Sequence, residues 1–199
     1  MASILRKSLT QKLKSRSVFQ DLSMFLNKDG PVWLTIKSLT NGLESHKVDY
    51  AIIGGLAVYA HGYERTTTGC DILLSKADYE KFMAKLVNLG VSVDVIMEGE
   101  YPGDGLIGPV SFPDPKVCQE NIDNMKFISL PKLIDLKLAS YKRLPAGRIK
   151  DCCDVVELIK TLKLKLSFSS LLDPSVRNEF EQLVRDLEKD EQKININEE

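Results

Sequence analysis

The chain has 199 residues, of which 43% are hydrophobic, and its formal net charge at pH 7 is −1. A chain of this length can bury a substantial core. The near-neutral charge gives no global electrostatic attraction to nucleic acid. No apolar run approaches the roughly 18 residues of a membrane-spanning helix, so no membrane partner is expected. The four cysteines have no zinc-binding spacing and favour a reduced, cytoplasmic compartment: Cys70, Cys118, Cys152 and Cys153.

Residues 1–30 are predicted to form a basic helical appendage. Leu5, Leu9 and Leu13 recur at helical spacing. Residues 1–20 contain no acid, and their cations are Arg6, Lys7, Lys12, Lys14 and Arg16. The pattern favours a solvated basic helix. A mitochondrial transit peptide and a helix that contacts RNA are the two alternatives.

A glycine turn follows the first predicted strand. We expect a helix over 31–45, a strand over 49–53, a helix over 55–61 and a strand over 70–74 that carries Asp71 at its start. Gly54 and Gly55 lie at the junction between the first strand and the helix over 55–61. Paired glycines in that position let backbone N–H groups approach an anion closely. On its own, a Gly-Gly pair more often makes only a tight turn.

A second carboxylate, Asp94, interrupts an apolar run after a predicted helix over 76–89. The run predicts a strand over 91–97, with Val91, Val93 and Val95 on one face and Asp94 on the other. An unpaired carboxylate in a buried strand is costly, so it needs a partner or a function. The alternative is that Asp94 lies on the solvent face of an edge strand. Asp71 and the glycine turn upstream favour a site.

The segment between Met97 and Met125 is predicted to be long and irregular, because glycine and proline recur along it. Such loops inside compact domains are often functional. The segment contains several acidic residues and a single lysine, Lys116. The segment could lend a carboxylate to the site, cover the cleft as a lid or form a variable surface loop. A further strand is predicted near 125–128.

Three helices are predicted in the C-terminal part, over 130–142, 148–162 and 174–188. Ser129 and Pro131 are expected to begin the first, and Asp173 and Pro174 the last. The second helix carries Asp151 and Asp154, which lie three residues apart and share a face. A polar tail, residues 191–199, follows.

These motifs together resemble the nucleotidyltransferase superfamily of the DNA polymerase beta type, especially its minimal nucleotidyltransferases and abortive-infection toxins. In that family a glycine turn, a short helix and an Arg/Thr-containing link precede a strand with an Asp-x-Asp pair. The matching residues here are Gly54, Gly55, Ala57, His61, Gly62, Arg65, Thr67 and Asp71. The first aspartate of the family's pair falls on Gly69. The resemblance covers about residues 31–162.

The resemblance implies an α/β fold with a small mixed sheet flanked by helices. It divides the chain into a core over 31–128 and C-terminal helices over 129–190. Asp71 and Asp94 would be the catalytic carboxylates and would hold Mg²⁺ or Mn²⁺. A nucleoside triphosphate would be bound by Gly54, Gly55, Arg65, Thr67, Lys137 and Lys150. Asp151 and Asp154 would support the cleft.

As an enzyme, the protein would transfer a nucleoside monophosphate to an acceptor, which could be RNA, a protein or a small molecule. Residues i and i+2 of a strand project on one face, roughly 7 Å apart, so an Asp-x-Asp pair can share divalent ions. Gly69 removes one carboxylate. Because magnesium needs only one or two carboxylates, binding can survive where fast catalysis does not. The alternatives are a catalytically impaired protein that binds nucleotide or docks a partner, and a purely structural use of the fold.

Overall fold

A computed structural model describes residues 25, 28, 30–67, 69–85 and 93–197. These residues form a mixed sheet flanked by helices, which confirms the α/β class. The basic part of the predicted N-terminal helix, residues 1–20, lies outside the described residues. The last four residues of the predicted helix 76–89 and the first two of the predicted strand 91–97 also lie outside them. None of the described helices is both long enough and apolar enough to cross a membrane.

The sheet of the described residues has five strands in the order β3-β2-β1-β5-β4. β1 is antiparallel to β2 and parallel to β5, β2 is parallel to β3, and β4 is antiparallel to β5. The strands β1 to β5 are Tyr50–Ile53, Asp71–Leu74, Asp94–Met97, Gln119–Ile122 and Met125–Ile128.

Seven helices, α1 to α7, run through the same described part of the chain. They are Pro31–Ser45, Gly54–Ala60, Lys76–Lys85, Pro115–Cys118, Leu130–Arg143, Ile149–Leu162 and Arg177–Asn197. A 3₁₀ helix, Leu166–Leu171, precedes α7. The six elements predicted between residues 31 and 97, and helices α5 and α6, thus occur close to their expected positions.

The core lies around the central strand β1, all of whose residues are buried. A continuous apolar run suits β1 because both faces of the sheet are covered there. Helix α1 contributes a buried stripe that includes Trp33, Ile36 and Leu43. Phe25 is also buried and packs against Trp33 and Tyr59, with ring centroids 5.8 and 5.3 Å away. The core therefore begins before residue 31.

The prediction of irregular chain as far as residue 125 is wrong for its second half. Residues 115–122 form α4 and β4, and β4 forms a hairpin with β5, which is the strand predicted near 125–128. Asp123 and Asn124 both have positive φ, 50° and 61°, which is the conformation of a two-residue type I′ turn. This turn matches the right-handed twist of the strands. Strand β4 escaped prediction because Gln119, Glu120 and Asn121 give it little apolar character.

The last helix differs from its prediction at both ends. Asp173 accepts hydrogen bonds from the backbone and hydroxyl of Ser175, at 2.9 and 2.6 Å, so Pro174 lies in a turn and α7 begins only at residue 177. The helix continues to residue 197 and so includes most of the residues expected to form a polar tail. Ion pairs such as Lys193–Asp190, at 3.1 Å, lie along this polar continuation.

Candidate functional site

The glycine turn between β1 and α2 is covered by three of the predicted site side chains. Gly54 has a φ of +65°, and a Cβ there would lie 1.9 Å from Asp71 Oδ2. A Cβ on Gly55 would lie 2.7 Å from Thr67 Oγ1 and 3.2 Å from Arg65 Nη2. Gly54 is therefore needed for its backbone conformation and for space, while Gly55 is needed for space. The turn brings a carboxylate, a hydroxyl and a guanidinium together.

Asp71 and Asp94 are register partners on the parallel strands β2 and β3. Neighbouring strands lie about 4.8 Å apart, and paired residues project on the same face of the sheet. The prediction that these two aspartates lie on adjacent strands is confirmed. Asp71 is half-buried and Asp94 is exposed.

The two carboxylates have no directly bonded partner in the described part of the chain. Neither accepts a hydrogen bond or forms an ion pair with a described residue. Burial, and secondly the charge of Asp94, raise the pKa of Asp71 above its usual value, while Lys137 and Arg65 oppose the rise. A half-buried carboxylate facing a second carboxylate without a partner is a costly arrangement.

A buried ion network lies beside this pair and joins α5, α6 and the link before β2. Lys137 Nζ is 2.6 Å from Asp154 Oδ2 and 3.0 Å from Asp151 Oδ1. Arg65 Nη2 donates to Asp154 Oδ2 at 2.8 Å, and Arg65 Nε approaches Asp154 Oδ1 to 2.7 Å without hydrogen-bond geometry. Ser140 donates to Asp151 Oδ2 at 2.8 Å. The side chains of Lys137 and Asp154 are only 8% and 3% exposed.

The charges of the network cancel. Lys137 and Arg65 supply two positive charges, and Asp151 and Asp154 supply two negative ones. The cations nearest the Asp71–Asp94 pair are therefore already neutralised, and the pair is left with its own two negative charges. A charge of this size matches one divalent cation.

Two predicted residues stand apart from this arrangement. Lys150 is exposed at the start of α6 and is not among the groups that contact Asp151 or Asp154. It is adjacent to Asp151 in sequence, so it points about 100° away around the helix. Gly69 has a φ outside the left-handed region, and a Cβ there would meet nothing within 4 Å. Its backbone therefore has no need of glycine.

Ser140 is a member of the network that the sequence analysis did not identify. It follows Lys137 by three residues, so both side chains project from the same face of α5 toward α6. The helical spacing from a predicted site lysine is the signal that could have identified it. His61, which belongs to the family motif, has a structural contact: its Nε2 lies 2.8 Å from the carbonyl oxygen of Ile128.

The loop after β3 is attached to the end of α5. Arg143 makes two contacts with Asp104, from Nε at 3.1 Å and from Nη2 at 3.0 Å, and Arg148 donates to the Gly103 carbonyl at 3.1 Å. Asp114 caps α4 through the backbone of Lys116. Asp104 and Asp114 thus have structural partners. A cavity of about 230 Å³ lies between the loop and α5.

Asp71 and Asp94 are ligands of the type that magnesium accepts, with water or a ligand's oxygens completing its coordination. The described residues provide no third protein ligand, because they contain no group of three His, Cys, Asp or Glu placed to hold a metal. The space that Gly54 leaves for Asp71 Oδ2 shows that the turn is shaped around this carboxylate.

Comparison with known proteins does not assign the chain to a family. No protein-family model matches it, and no curated protein matches it significantly.

Proposed function

We propose that the protein binds a nucleoside triphosphate together with Mg²⁺, at the site formed by the glycine turn, Asp71 and Asp94. The observation that carries the proposal is the pairing of Asp71 with Asp94 in register, without an ion pair between either carboxylate and a described residue. Two adjacent carboxylates with uncompensated charge are a favourable place for a divalent cation. The nucleotidyltransferase superfamily, in its DNA polymerase beta type, remains the class that the motifs resemble.

The phosphate side of the site would be formed by the glycine turn and Thr67. Gly54 is partly exposed, and the Thr67 hydroxyl lies against the buried Gly55. Arg65 and Lys137 are held by Asp154, so they would act on bound phosphates through their field rather than through direct contact. Lys150, which is exposed and makes no contact with the network, is not part of this proposed site.

Nucleotide binding is better supported than transfer of a nucleoside monophosphate to an acceptor. When bound, magnesium would neutralise phosphate charge and favour displacement at phosphorus. The first aspartate of the family's Asp-x-Asp pair is replaced by Gly69, and the neighbouring cations are paired. The first role for this chain is therefore a nucleotide-binding module, and slow transfer is the second.

Calorimetry of the full chain tests the proposal. ATP, GTP, CTP and UTP are each titrated with and without MgCl₂, and at least one should bind only with magnesium. Asp71→Asn should weaken that binding about tenfold, which corresponds to roughly 1.4 kcal/mol. Asp104→Asn is the matched control, because Asp104 contacts Arg143 rather than the pair. Binding without magnesium contradicts the metal site, and absence of binding leaves only a structural role.

Gly69→Asp separates the two roles. Its backbone accepts a side chain, so aspartate should be tolerated and should add a carboxylate near Asp71. We expect about tenfold tighter magnesium-dependent nucleotide binding, or roughly 1.4 kcal/mol. Labelling of RNA, protein or small-molecule acceptors from radiolabelled triphosphates measures transfer. A folded variant that neither binds more tightly nor labels any acceptor contradicts the transferase role.

A further inference from the structure

Arg65 and Asp71 lie over successive residues of the glycine turn. Arg65 Nη2 is 3.2 Å from the position of a Cβ on Gly55, and Asp71 Oδ2 is 1.9 Å from that of a Cβ on Gly54. Their charges are opposite, and a half-buried carboxylate without a partner would gain from an adjacent guanidinium. Yet no ion pair joins them.

Asp154 accounts for this missing pair. It contacts both Nε and Nη2 of Arg65, and it also contacts Lys137. Asp154 is 3% exposed and lies between two cations, so its contacts with both are shielded from water. Asp154 therefore holds the Arg65 guanidinium toward α6. Asp151 cannot replace Asp154 in this role, because its contacts are with Lys137 and Ser140.

We propose that Asp154 is a positioning residue that withholds Arg65 from Asp71 and thereby keeps the Asp71–Asp94 pair open to a divalent cation. This inference rests on the proposed function, since it concerns the same site. Helix α6 would thus act on a site formed by the sheet. Its Asp154 neutralises the Arg65 guanidinium, so that Arg65 does not neutralise the carboxylates of Asp71 and Asp94.

The first experiment measures binding of Mn²⁺ alone to the full chain by electron paramagnetic resonance. Asp154→Asn keeps the shape of the side chain but removes its charge, so Arg65 should turn to Asp71 and Mn²⁺ affinity should fall about tenfold or more. Asp151→Asn is the matched control, because it removes an equal charge from the same face of α6 while Asp154 still holds Arg65. Its loss should be several-fold smaller. Equal losses would mean that only the net charge matters, and this would overturn the proposal.

Arg65→Gln combined with Asp154→Asn removes both partners of the buried pair, so it remains informative if Asp154→Asn alone does not fold. With no guanidinium to compete, Mn²⁺ affinity should return to within about threefold of the original chain. A double variant that binds Mn²⁺ as weakly as Asp154→Asn, or ten times more weakly than the original chain, overturns the proposal.

A second experiment needs no metal and separates this inference from the proposed function. Urea unfolding of the metal-free chain measures the stability change caused by Asp71→Asn in two backgrounds, the original chain and the Asp154→Asn variant. If Asp154→Asn does not fold, Asp154→Ser replaces it. In the original chain Asp71 has no partner, so the substitution should be neutral or stabilising. With residue 154 uncharged, Asp71 should hold Arg65, and the substitution should be destabilising. The same change in both backgrounds overturns the inference even if Mn²⁺ binds. A chain that shows the predicted coupling but binds no Mn²⁺ loses only the proposed function.

Discussion

Gly54→Ala should be among the most damaging small substitutions in this protein. Alanine at a φ of +65° costs about 1–2 kcal/mol, because its Cβ crowds the backbone. The new Cβ would also lie 1.9 Å from Asp71 Oδ2, and displacing a packed group costs about 1–3 kcal/mol more. We expect a total loss of about 3 kcal/mol, or roughly 6–12 °C in Tm for a chain of this length.

Urea unfolding of metal-free protein measures this loss, and Gly69→Ala is its control. A Cβ on Gly69 meets nothing within 4 Å and φ there is not positive, so alanine should be neutral or should stabilise by about 0.4–1 kcal/mol. In an Asp71→Ala background the clash with Oδ2 is absent, and Gly54→Ala should cost only the backbone part, about 1–2 kcal/mol. A Gly54→Ala variant as stable as Gly69→Ala would refute the reasoning.

Three further predictions concern thiols, pH and the loop after β3. A disulfide-exchange reagent should modify exposed Cys153 quickly in the folded protein and Cys70 only after unfolding, because burial raises the pKa of Cys70 to about 12. Burial and the charge of Asp94 raise the pKa of Asp71 above 3.8. The metal-free original chain should therefore lose stability relative to Asp71→Asn as pH rises from below 3.8 through the pKa of Asp71 in the folded protein. Urea unfolding at a series of pH values measures this difference. Arg143→Lys should lose the two-point contact with Asp104, lower global stability by less than about 1 kcal/mol and increase limited proteolysis near residues 103–108 several-fold.

Long apolar patterns made most of the fold predictable. Strand β1 and helix α1 carry continuous or helically spaced apolar residues, and their bounds match the expectation closely. Strand β4 and the far end of α7 carry polar residues instead. Strand β4 is stabilised by its pairing with β5, and the far end of α7 by side-chain pairs along the helix. Neither kind of contact requires apolar residues at regular spacing, so the sequence shows no periodic pattern there.

The candidate site was predictable where one strand or turn carries its residues. Gly54 and Asp71 belong to a local motif, and Asp94 follows from an interrupted apolar run. The contact between Arg65 and Asp154 joins residues 89 positions apart, so no local pattern could indicate that these two side chains neutralise each other. Lys150 shows the same limit, because a lysine adjacent to Asp151 need not share its face of the helix.

The position of β1 has a consequence for the order in which the protein forms. β1 can pair with β2 soon after both are synthesised, but its other neighbour, β5, comes much later in the chain. Until then one edge of an entirely apolar strand is without its partner, and such edges invite pairing with other chains. Asp154 is made later still, so Arg65 acquires its counter-charge only after the sheet is complete. A competent ligand site would therefore mark a nascent chain that has already passed its most aggregation-prone stage.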